Sequence, residues 1–380
     1  MTQPDLPRRA WLAAGMAAAI VPQPMAAWAA EPPIVVGQIG PFTNLPAPDA
    51  KLLNRGMHAA FDQANAAGGI NGRPLALFEL DDGYSADGFV SRFAEAMKRK
   101  PVALLSPVGS VAIKRMLEAH LLDAADVVVL NAVPGAESLR NPGHPKLFFV
   151  RAGDRHQVEC IVRHAKVLRV SHMAVLHQDL PVGTSALAMA QRAAGEQGMK
   201  VTPFAATKDK DQLAEAAAKV AALHPQSVIV VGAAPFMAEG VAALTRAGVR
   251  QFVYALSDVS PEAIHRLSEG QARGVALAQN YPNPNGVAMA LQRDFQAAMK
   301  RGATAGGPYA LFELEGYICA RVLIEALRRS REISPAALAR TLSGMGELNL
   351  GGFRVNFSKD NNGSSFVDIA LVGEGGKLVY

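Results

Sequence analysis

The feature that most constrains the fold is a regular alternation of short apolar runs with longer helical patterns. Short apolar runs without polar alternation are typical of strands that are buried on both faces, and strands separated by helices pair in parallel. In the first part of the chain, the predicted strands and the predicted helices between them lie at residues 34–39, 51–67, 75–80, 86–98, 102–105, 111–122 and 127–130.

A second series of the same kind begins near Arg151. Its predicted strands lie at residues 173–176, 201–204, 228–231, 252–256 and 275–278, with helices between them. A cluster of Pro and Asn follows at 281–286, and then two long helical patterns at 288–301 and 309–329. Those helices are too long to belong to the second unit alone. We therefore expect the chain to return to the first unit and to cross over again before its end.

A chain of 380 residues fits two or three domains. We predict an α/β protein with two doubly wound parallel-sheet lobes that are joined by a three-strand hinge. Lobe one is expected to consist of residues 30–150 and 281–348, and lobe two of residues 151–280 and 349–380. Ligands of such folds bind at the carboxyl ends of the strands, so a ligand would lie between the lobes and be buried when they close.

Residues 1–29 are predicted to be a secretory signal peptide. Arg8-Arg9 precedes an apolar stretch at 10–21, and Ala27-Trp28-Ala29 has the form of a cleavage site. A membrane span needs about 20 residues, so this stretch is too short for one. The segment predicts a periplasmic protein. It fits the general secretion route and the twin-arginine route about equally, and no Cys stands at the cleavage site to carry a lipid.

Composition excludes several other classes of protein. The formal net charge is +5, and the only compact basic run, Lys98-Arg99-Lys100, lies at a helix end. No aromatic residues are interleaved with it, so we expect no binding of nucleic acid. Cys160 and Cys319 are either two separate buried thiols or one disulfide. The sequence shows no metal-ligand spacing, no phosphate-binding loop and no nucleophile motif, so we expect no cofactor, no metal and no catalysis.

Several short motifs carry a resemblance to a known family. The most specific is Gly68-Gly69-Ile70-Asn71-Gly72 with Asp81-Asp82, and Glu315-Gly316-Tyr317 supports it. From about residue 33 to its end, the chain resembles the leucine/isoleucine/valine-binding periplasmic proteins of ABC transporters. The resemblance implies the type I two-lobed fold, a small-molecule ligand, an ABC transporter permease in the inner membrane as partner, and a monomer.

The loop before the helix at 111–122 is the first candidate ligand site. Gly109 and Ser110 fall where the resembled family holds a ligand carboxylate by backbone N–H groups and a hydroxyl. The same arrangement has a physical reading, because the first N–H groups of a helix are unpaired and attract an anion. A plainer alternative is that Ser110 is an ordinary N-cap.

Other candidate ligand-binding residues follow from the resemblance and from their places at strand ends. Pro134-Gly135 replaces a hydroxyl-bearing pair of the family, and Val182 replaces an aromatic residue. We therefore predict a small organic anion rather than a branched-chain amino acid. Asp258 is either a partner for a ligand amine or an exposed helix cap, and Tyr281 is either cleft wall or hinge packing. The full candidate set is Phe42, Thr43, Gly109, Ser110, Gly135, Ala136, Val182, Ser257, Asp258 and Tyr281.

Three functions remain open at this point. The first is a periplasmic substrate-binding protein of an ABC importer that captures a carboxylate or an amino-acid-like solute. The second is a ligand-sensing module of a regulatory or receptor complex, built on the same fold. The third, a periplasmic α/β enzyme, is the least favoured, because no set of nucleophile, base and oxyanion donor can be found in the sequence.

Overall fold

The computed structural model describes residues 1–2, 31–44, 49–301 and 307–380. Residues 32–380 form one compact unit. The predicted signal peptide at 1–29 lies almost entirely outside the described residues. Among the helices that are described, none combines the length and the apolar character that crossing a membrane requires.

The first sheet has five parallel strands in the order β2-β1-β3-β4-β5. Strands β1, β3, β4 and β5 are almost wholly buried, as the continuous apolar runs predict, whereas the edge strand β2 is mostly half-buried. The elements of this part of the chain are β1 (Ile34–Gly40), α1 (Asp49–Ala66), β2 (Leu75–Asp81), α2 (Ala86–Lys98), β3 (Ala103–Leu105), α3 (Ser110–Glu118), α4 (Leu121–Ala124), β4 (Val128–Leu130) and β5 (Leu147–Phe148).

The single helix predicted at 111–122 is wrong in one respect. His120 has a φ of +52°, a left-handed conformation that ends α3 and starts the short helix α4. A residue in that conformation cannot continue a right-handed helix. The apolar periodicity continues across His120 without interruption, so the sequence pattern did not reveal the break between α3 and α4.

The second sheet has seven strands in the order β14-β13-β10-β9-β8-β6-β7. Strands β6 to β10 are parallel, whereas β13 and β14 are antiparallel additions at the β10 edge. The elements are α5 (Asp154–Val167), β6 (His172–Gln178), α6 (Pro181–Glu196), β7 (Lys200–Ala206), α7 (Lys210–Leu223), β8 (Ser227–Val231), α8 (Ala234–Arg246), β9 (Phe252–Ala255), α9 (Pro261–Leu267), β10 (Ala276–Gln279), β13 (Asp368–Val372) and β14 (Leu378–Val379).

The two sheets share one winding pattern. In each, the first strand of the unit lies between the second and the third, which gives the order 2-1-3-4-5. The chain reverses direction across the sheet at that point, and the loops at the carboxyl ends of the strands diverge there to leave a crevice. The predicted α/β fold with two parallel-sheet lobes is confirmed.

After β10 the chain packs again with the first sheet. The returning elements are α10 (Ala290–Arg301), α11 (Leu311–Arg329), α12 (Pro335–Gly344), β11 (Leu348–Leu350) and β12 (Phe353–Val355). Helix α12 was not predicted. Residues of α11 and of the β11–β12 hairpin share one buried apolar cluster with α1 and β1. The hairpin therefore packs with the first sheet, although the division predicted from sequence assigned residues 349 onwards to the second lobe.

The chain passes between the two sheets at three places: residues 149–153, 280–289 and 356–367. Two of these crossings touch, because Phe149 and Asn362 form an isolated β-bridge. Three adjacent connections restrict the relative motion of two lobes to bending about the line on which they lie, which is the usual geometry of hinge closure.

Candidate functional site

A cavity of about 50 Å³ lies where the carboxyl ends of the two sheets face each other. Loops after β2, β3 and β4 supply its first wall, and loops after β6, β8 and β9 supply the second. Its lining residues are Tyr84, Val108, Gly109, Ser110, Val133, Pro134, Gly135, Ala136, Val182, Gly232, Ala233, Ala234 and Asp258.

The start of α3 is open towards this cavity. Gly109 is the N-cap of α3, and no side chain accepts a hydrogen bond from the first turn. Ser110 is the first residue of the helix, so its predicted role as N-cap is wrong. Gly109 has a φ of +108°, which residues with a Cβ rarely adopt. The free N–H groups and the positive end of the helix dipole make this turn suitable for an anion.

The opposite wall is built from small residues around the start of α8. Ala233 is the N-cap, and its N–H group donates to Gln178 Oε1 at 2.8 Å. A Cβ atom built on Gly232 would lie 2.7 Å from side-chain atoms of both Gln178 and Phe236. Gly232 thus lets this loop approach its neighbours closely. Val182 adds an apolar side chain from the first turn of α6.

The buried guanidinium of Arg151 joins the two walls. Its Nη1 donates to the carbonyl oxygen of Val133 at 2.9 Å, on the lobe-one wall. Its Nη2 donates to the carbonyl oxygen of Ser257 at 3.0 Å and to its Oγ at 2.6 Å, on the lobe-two side. Glu315 Oε1 lies 3.7 Å from Nη1 and provides the opposite charge. Charged hydrogen bonds of this kind, buried in a medium of low dielectric constant, are strong and geometrically specific.

Residues of the crossings complete this network. Asn131 Nδ2 donates to Glu315 Oε1 at 3.0 Å, and the hydroxyl of Tyr281 donates to Asn131 Oδ1 at 3.3 Å. Asn280 Nδ2 donates to Ser257 Oγ at 2.8 Å. The side chains of Tyr281 and Ser257 are therefore held by protein partners.

The acidic groups beside the cavity have perturbed pKa values. Burial raises the pKa of Asp258, while Arg151 and Arg140 oppose that shift. Burial also raises the pKa of Asp154 well above its usual range, and the Asp258 carboxylate adds to it. Asp154 reaches the first wall as well, since a Cβ atom on Gly135 would lie 1.9 Å from its Oδ1. Two carboxylates and two guanidinium groups thus surround the back of the cavity.

Asp258 is not the exposed helix cap that was one of its two predicted roles. The N-cap of α9 is Ser260, whose Oγ accepts a hydrogen bond from the Ala263 N–H at 3.1 Å. Asp258 lines the cavity, and its Oδ1 is buried without a hydrogen-bond partner. An unpaired carboxylate oxygen beside a cavity is available to a ligand donor.

The structure brings together six of the candidate residues in the cavity lining: Gly109, Ser110, Gly135, Ala136, Val182 and Asp258. Phe42, Thr43, Ser257 and Tyr281 are not among its lining residues. Thr43 instead donates its hydroxyl to the Asp81 carboxylate, and the Phe42 N–H donates to Asp81 Oδ1 at 3.0 Å. These two residues brace the loop after β2.

Tyr84 lines the cavity but was not predicted to do so, because the loop after β2 was not among the candidate strand-end loops. The signal was present: Tyr84 comes three residues after the end of β2, which lies beside β1 in the sheet. The prediction from sequence also did not include the buried ion network around Arg151, because the members of that network are distant in sequence.

A larger groove of about 830 Å³ lies elsewhere on the protein, lined in part by Phe93, Met97, Pro101, Leu121 and Pro335. It is open and lies near the amino ends of β3 and β4, away from the diverging loops at the carboxyl ends where such sheets bind ligands. Among the described residues, no group of three or more His, Cys, Asp or Glu side chains could hold a metal ion.

Comparison with known proteins places this chain in a family. Residues 33–377 match the family described as periplasmic binding protein. The extracellular ligand-binding receptor from Verminephrobacter eiseniae ef01-2 is 49% identical over 92% of this chain and 100% of its own, with a TM-score of 0.86. The chain belongs to the periplasmic binding protein family, as its motifs predicted.

More distant solved structures share the fold. A substrate-binding periplasmic protein from Ralstonia solanacearum is 24% identical over 91% of this chain and 99% of its own, with a TM-score of 0.80. An ABC transporter substrate-binding protein from Desulfitobacterium hafniense, solved in complex with Leu, is 20% identical over 92% of this chain and 100% of its own, with a TM-score of 0.78. Among curated proteins, none matches the chain.

Proposed function

We propose that this protein is the substrate-binding protein of an ABC importer and captures a small organic carboxylate between its two lobes. The observation that carries the proposal is the cavity itself. Both lobes contribute to its lining, and the first turn of α3 presents unpaired N–H groups to it. A carboxylate bound there would contact Gly109 and Ser110 of the first lobe and would be enclosed by Val182 and Gly232 of the second.

The electrostatics of the cleft support an anion over an amino acid. An amino acid needs a carboxylate partner for its ammonium group, and Asp258 is the acidic residue of the lining. Arg151 and Arg140 already act on the Asp258 charge. The ammonium group would therefore have to compete with two guanidinium groups, whereas no side chain caps the first turn of α3.

Capture requires the lobes to move. Sites for organic ligands have volumes of roughly 300–1,000 Å³, and the cavity measures about 50 Å³. We expect the three-strand hinge to open for entry and the ligand to stabilise a closed form by contacts to both lobes. A monomer is then sufficient for function. An inner-membrane permease would recognise the closed form.

Delivery to a permease requires a periplasmic location. Export by the signal peptide at 1–29 is part of the proposal, as is cleavage before residue 30. A ligand-sensing module of a receptor complex is the second candidate, since the 49% identical relative is described as a ligand-binding receptor. Dependence of solute uptake on this protein separates the two functions.

The first experiment is a thermal-shift screen of residues 30–380 against benzoate, hexanoate, succinate and the branched-chain amino acids. A ligand at 100 times its Kd stabilises the folded state by about 2.7 kcal/mol. We expect shifts with carboxylates that lack an amine. Shifts confined to leucine, isoleucine and valine would contradict the choice of ligand class, and the absence of any shift would contradict the proposed function.

A matched pair of variants tests whether the start of α3 holds the carboxylate of the ligand. Gly109 has a φ of +108° at the cavity, and Gly248 has a φ of +81° with no atom within 4 Å of its built Cβ. Both Gly109→Ala and Gly248→Ala impose backbone strain of about 1–3 kcal/mol. We expect only Gly109→Ala to abolish carboxylate binding. Equal binding by the two variants would remove the start of α3 from the site.

A further inference from the structure

Tyr84 has an unusual backbone conformation beside the proposed ligand site. Its φ is +57°, in the left-handed region, where a bulky residue is a rare outlier. Such strain costs about 1–3 kcal/mol and persists only where the surroundings enforce it, which is most often at functional sites. The side chain lines the cavity, yet 40% of it is exposed, so it stands at the mouth of the cleft.

Hydrogen bonds on both sides of Tyr84 enforce this conformation. The Tyr84 N–H donates to Asp82 Oδ1 at 2.8 Å, and the Gly83 N–H donates to Asp81 Oδ1 at 3.0 Å. Asn44 Nδ2 donates to the Gly83 carbonyl oxygen at 3.0 Å. Ser85 then caps α2 by accepting from the Gly88 N–H at 3.0 Å. The loop is therefore braced by four side chains, which is more than a passive surface turn requires.

The ring covers the start of α3. A Cβ atom built on Gly109 would lie 3.4 Å from Tyr84 Cε2 and 3.8 Å from Cδ2. The aromatic ring is thus in van der Waals range of the turn that presents unpaired N–H groups to the cavity. Val108, Val133 and Val182 contribute apolar side chains to the same lining.

Tyr84 also faces the second lobe. Partial burial raises the pKa of Tyr84, and the nearby carboxylates of Asp258, Asp49 and Asp82 raise it further. Asp258 belongs to the loop after β9, on the opposite wall. The phenol of a lobe-one residue therefore lies within electrostatic range of a lobe-two carboxylate across the cleft mouth.

We propose that Tyr84 is a specificity-determining residue, whose ring packs on an apolar group next to the ligand's carboxylate and so selects carboxylates with an apolar body over polar ones. This inference rests on the proposed function. The strained loop fixes the ring against Gly109, so the ring is presented to a ligand without further loss of side-chain entropy. The hydroxyl of Tyr84 keeps the outer edge of the ring in contact with solvent, while the face of the ring covers the ligand.

The test compares Tyr84→Gly and Tyr84→Phe with wild type by calorimetric titration of benzoate, hexanoate and succinate. Glycine takes the left-handed conformation without strain, so relief of strain offsets the lost contact and the melting temperature should change by no more than about 2 °C. Loss of the ring contact should weaken binding of benzoate and hexanoate roughly three- to tenfold. Succinate, which has a second carboxylate in place of the apolar body, should change less, and Tyr84→Phe should bind the apolar probes as wild type does.

The matched control is His224→Gly. His224 also has a left-handed φ, +49°, at the C-cap of α7 and outside the cavity lining. We expect the His224→Gly variant to bind every probe with the affinity of the wild type. Unchanged affinity of Tyr84→Gly for benzoate and hexanoate would overturn the inference while leaving the proposed function intact. Failure of wild type to bind any probe would overturn the proposed function, and the inference with it.

Discussion

Arg151 donates through Nη2 to both the carbonyl oxygen and the hydroxyl of Ser257, at 3.0 and 2.6 Å. Arg151 lies in the first crossing between the sheets, and Ser257 follows the fourth parallel strand of the second sheet. The pair fixes the position of the loop that carries Asp258. Lobe geometry at the cavity therefore depends on buried polar contacts that form without a ligand.

Removal of the Ser257 hydroxyl should lower the stability of the protein. Ser257→Ala leaves Arg151 Nη2 and Asn280 Nδ2 each short of one acceptor, and a hydrogen bond to a charged group is worth about 1.5–3 kcal/mol. We expect a loss of that size in the free energy of unfolding, measured by urea denaturation. Ser227→Ala is the control, because Ser227 Oγ is buried without a partner and its removal should cost less than about 0.5 kcal/mol. Equal losses for both variants would contradict the role of the network.

The close contact between α1 and α11 should not tolerate a methyl group. A Cβ atom on Gly316 would lie 2.0 Å from the Leu53 carbonyl oxygen, and one on Gly56 would lie 1.9 Å from that of Glu313. We expect Gly316→Ala to lower the free energy of unfolding by at least about 2 kcal/mol, since rigid backbone must move apart. Gly195→Ala, in α6 with nothing within 4 Å, should instead gain up to about 1 kcal/mol. A neutral Gly316→Ala would mean that the helices separate easily.

Stability should depend on pH through Asp49. Burial raises its pKa to about 7, and the charges of Glu262 and Glu315 contribute in the same direction. In the unfolded chain this pKa is about 4. The folded state then binds the proton more tightly, so the free energy of unfolding falls as the pH rises from about 4 towards 7 and remains lower above that.

Asp49→Asn should remove this dependence. Relative to wild type, the variant should gain roughly 1–3 kcal/mol between about pH 5 and about pH 8, measured by urea denaturation at each pH. Asp62→Asn is the control, because Asp62 lies on the same helix with an exposed carboxylate. A constant difference between Asp49→Asn and wild type across the pH range would contradict the prediction.

The two cysteines should resist thiol reagents in the folded protein. They do not form a disulfide, which excludes one of the two alternatives left open by the sequence. Burial raises the pKa of the Cys319 thiol to about 12, and burial also raises that of Cys160. In a Cys160→Ser variant we expect iodoacetamide to label the remaining thiol only after denaturation, because the thiolate is the reactive form. Rapid labelling without denaturant would contradict this and would show that the buried apolar cluster around Cys319 opens.

Much of this protein could be predicted from its sequence because the physics involved is local. Continuous apolar runs and helical periodicity established the order of the elements, and Gly68-Gly69 marked the end of α1, where both residues have positive φ. Strand-end loops could be recognised as candidate ligand contacts because parallel strands bring their carboxyl ends to one edge of a sheet. The start of α3 at Gly109-Ser110 was found in that way.

Tertiary structure alone decided which of those loops form the cavity and what holds them. Asn131 and Glu315 meet over 184 positions of sequence, and Tyr84 reaches Gly109 from the loop after β2, although β1 separates β2 from β3 in the sheet. Tyr281 and Ser257 were predicted to contact the ligand, but they hydrogen-bond to Asn131 and Arg151 and do not line the cavity. Buried polar groups must find partners wherever the fold places them, and that requirement depends on distances in space that no local pattern encodes.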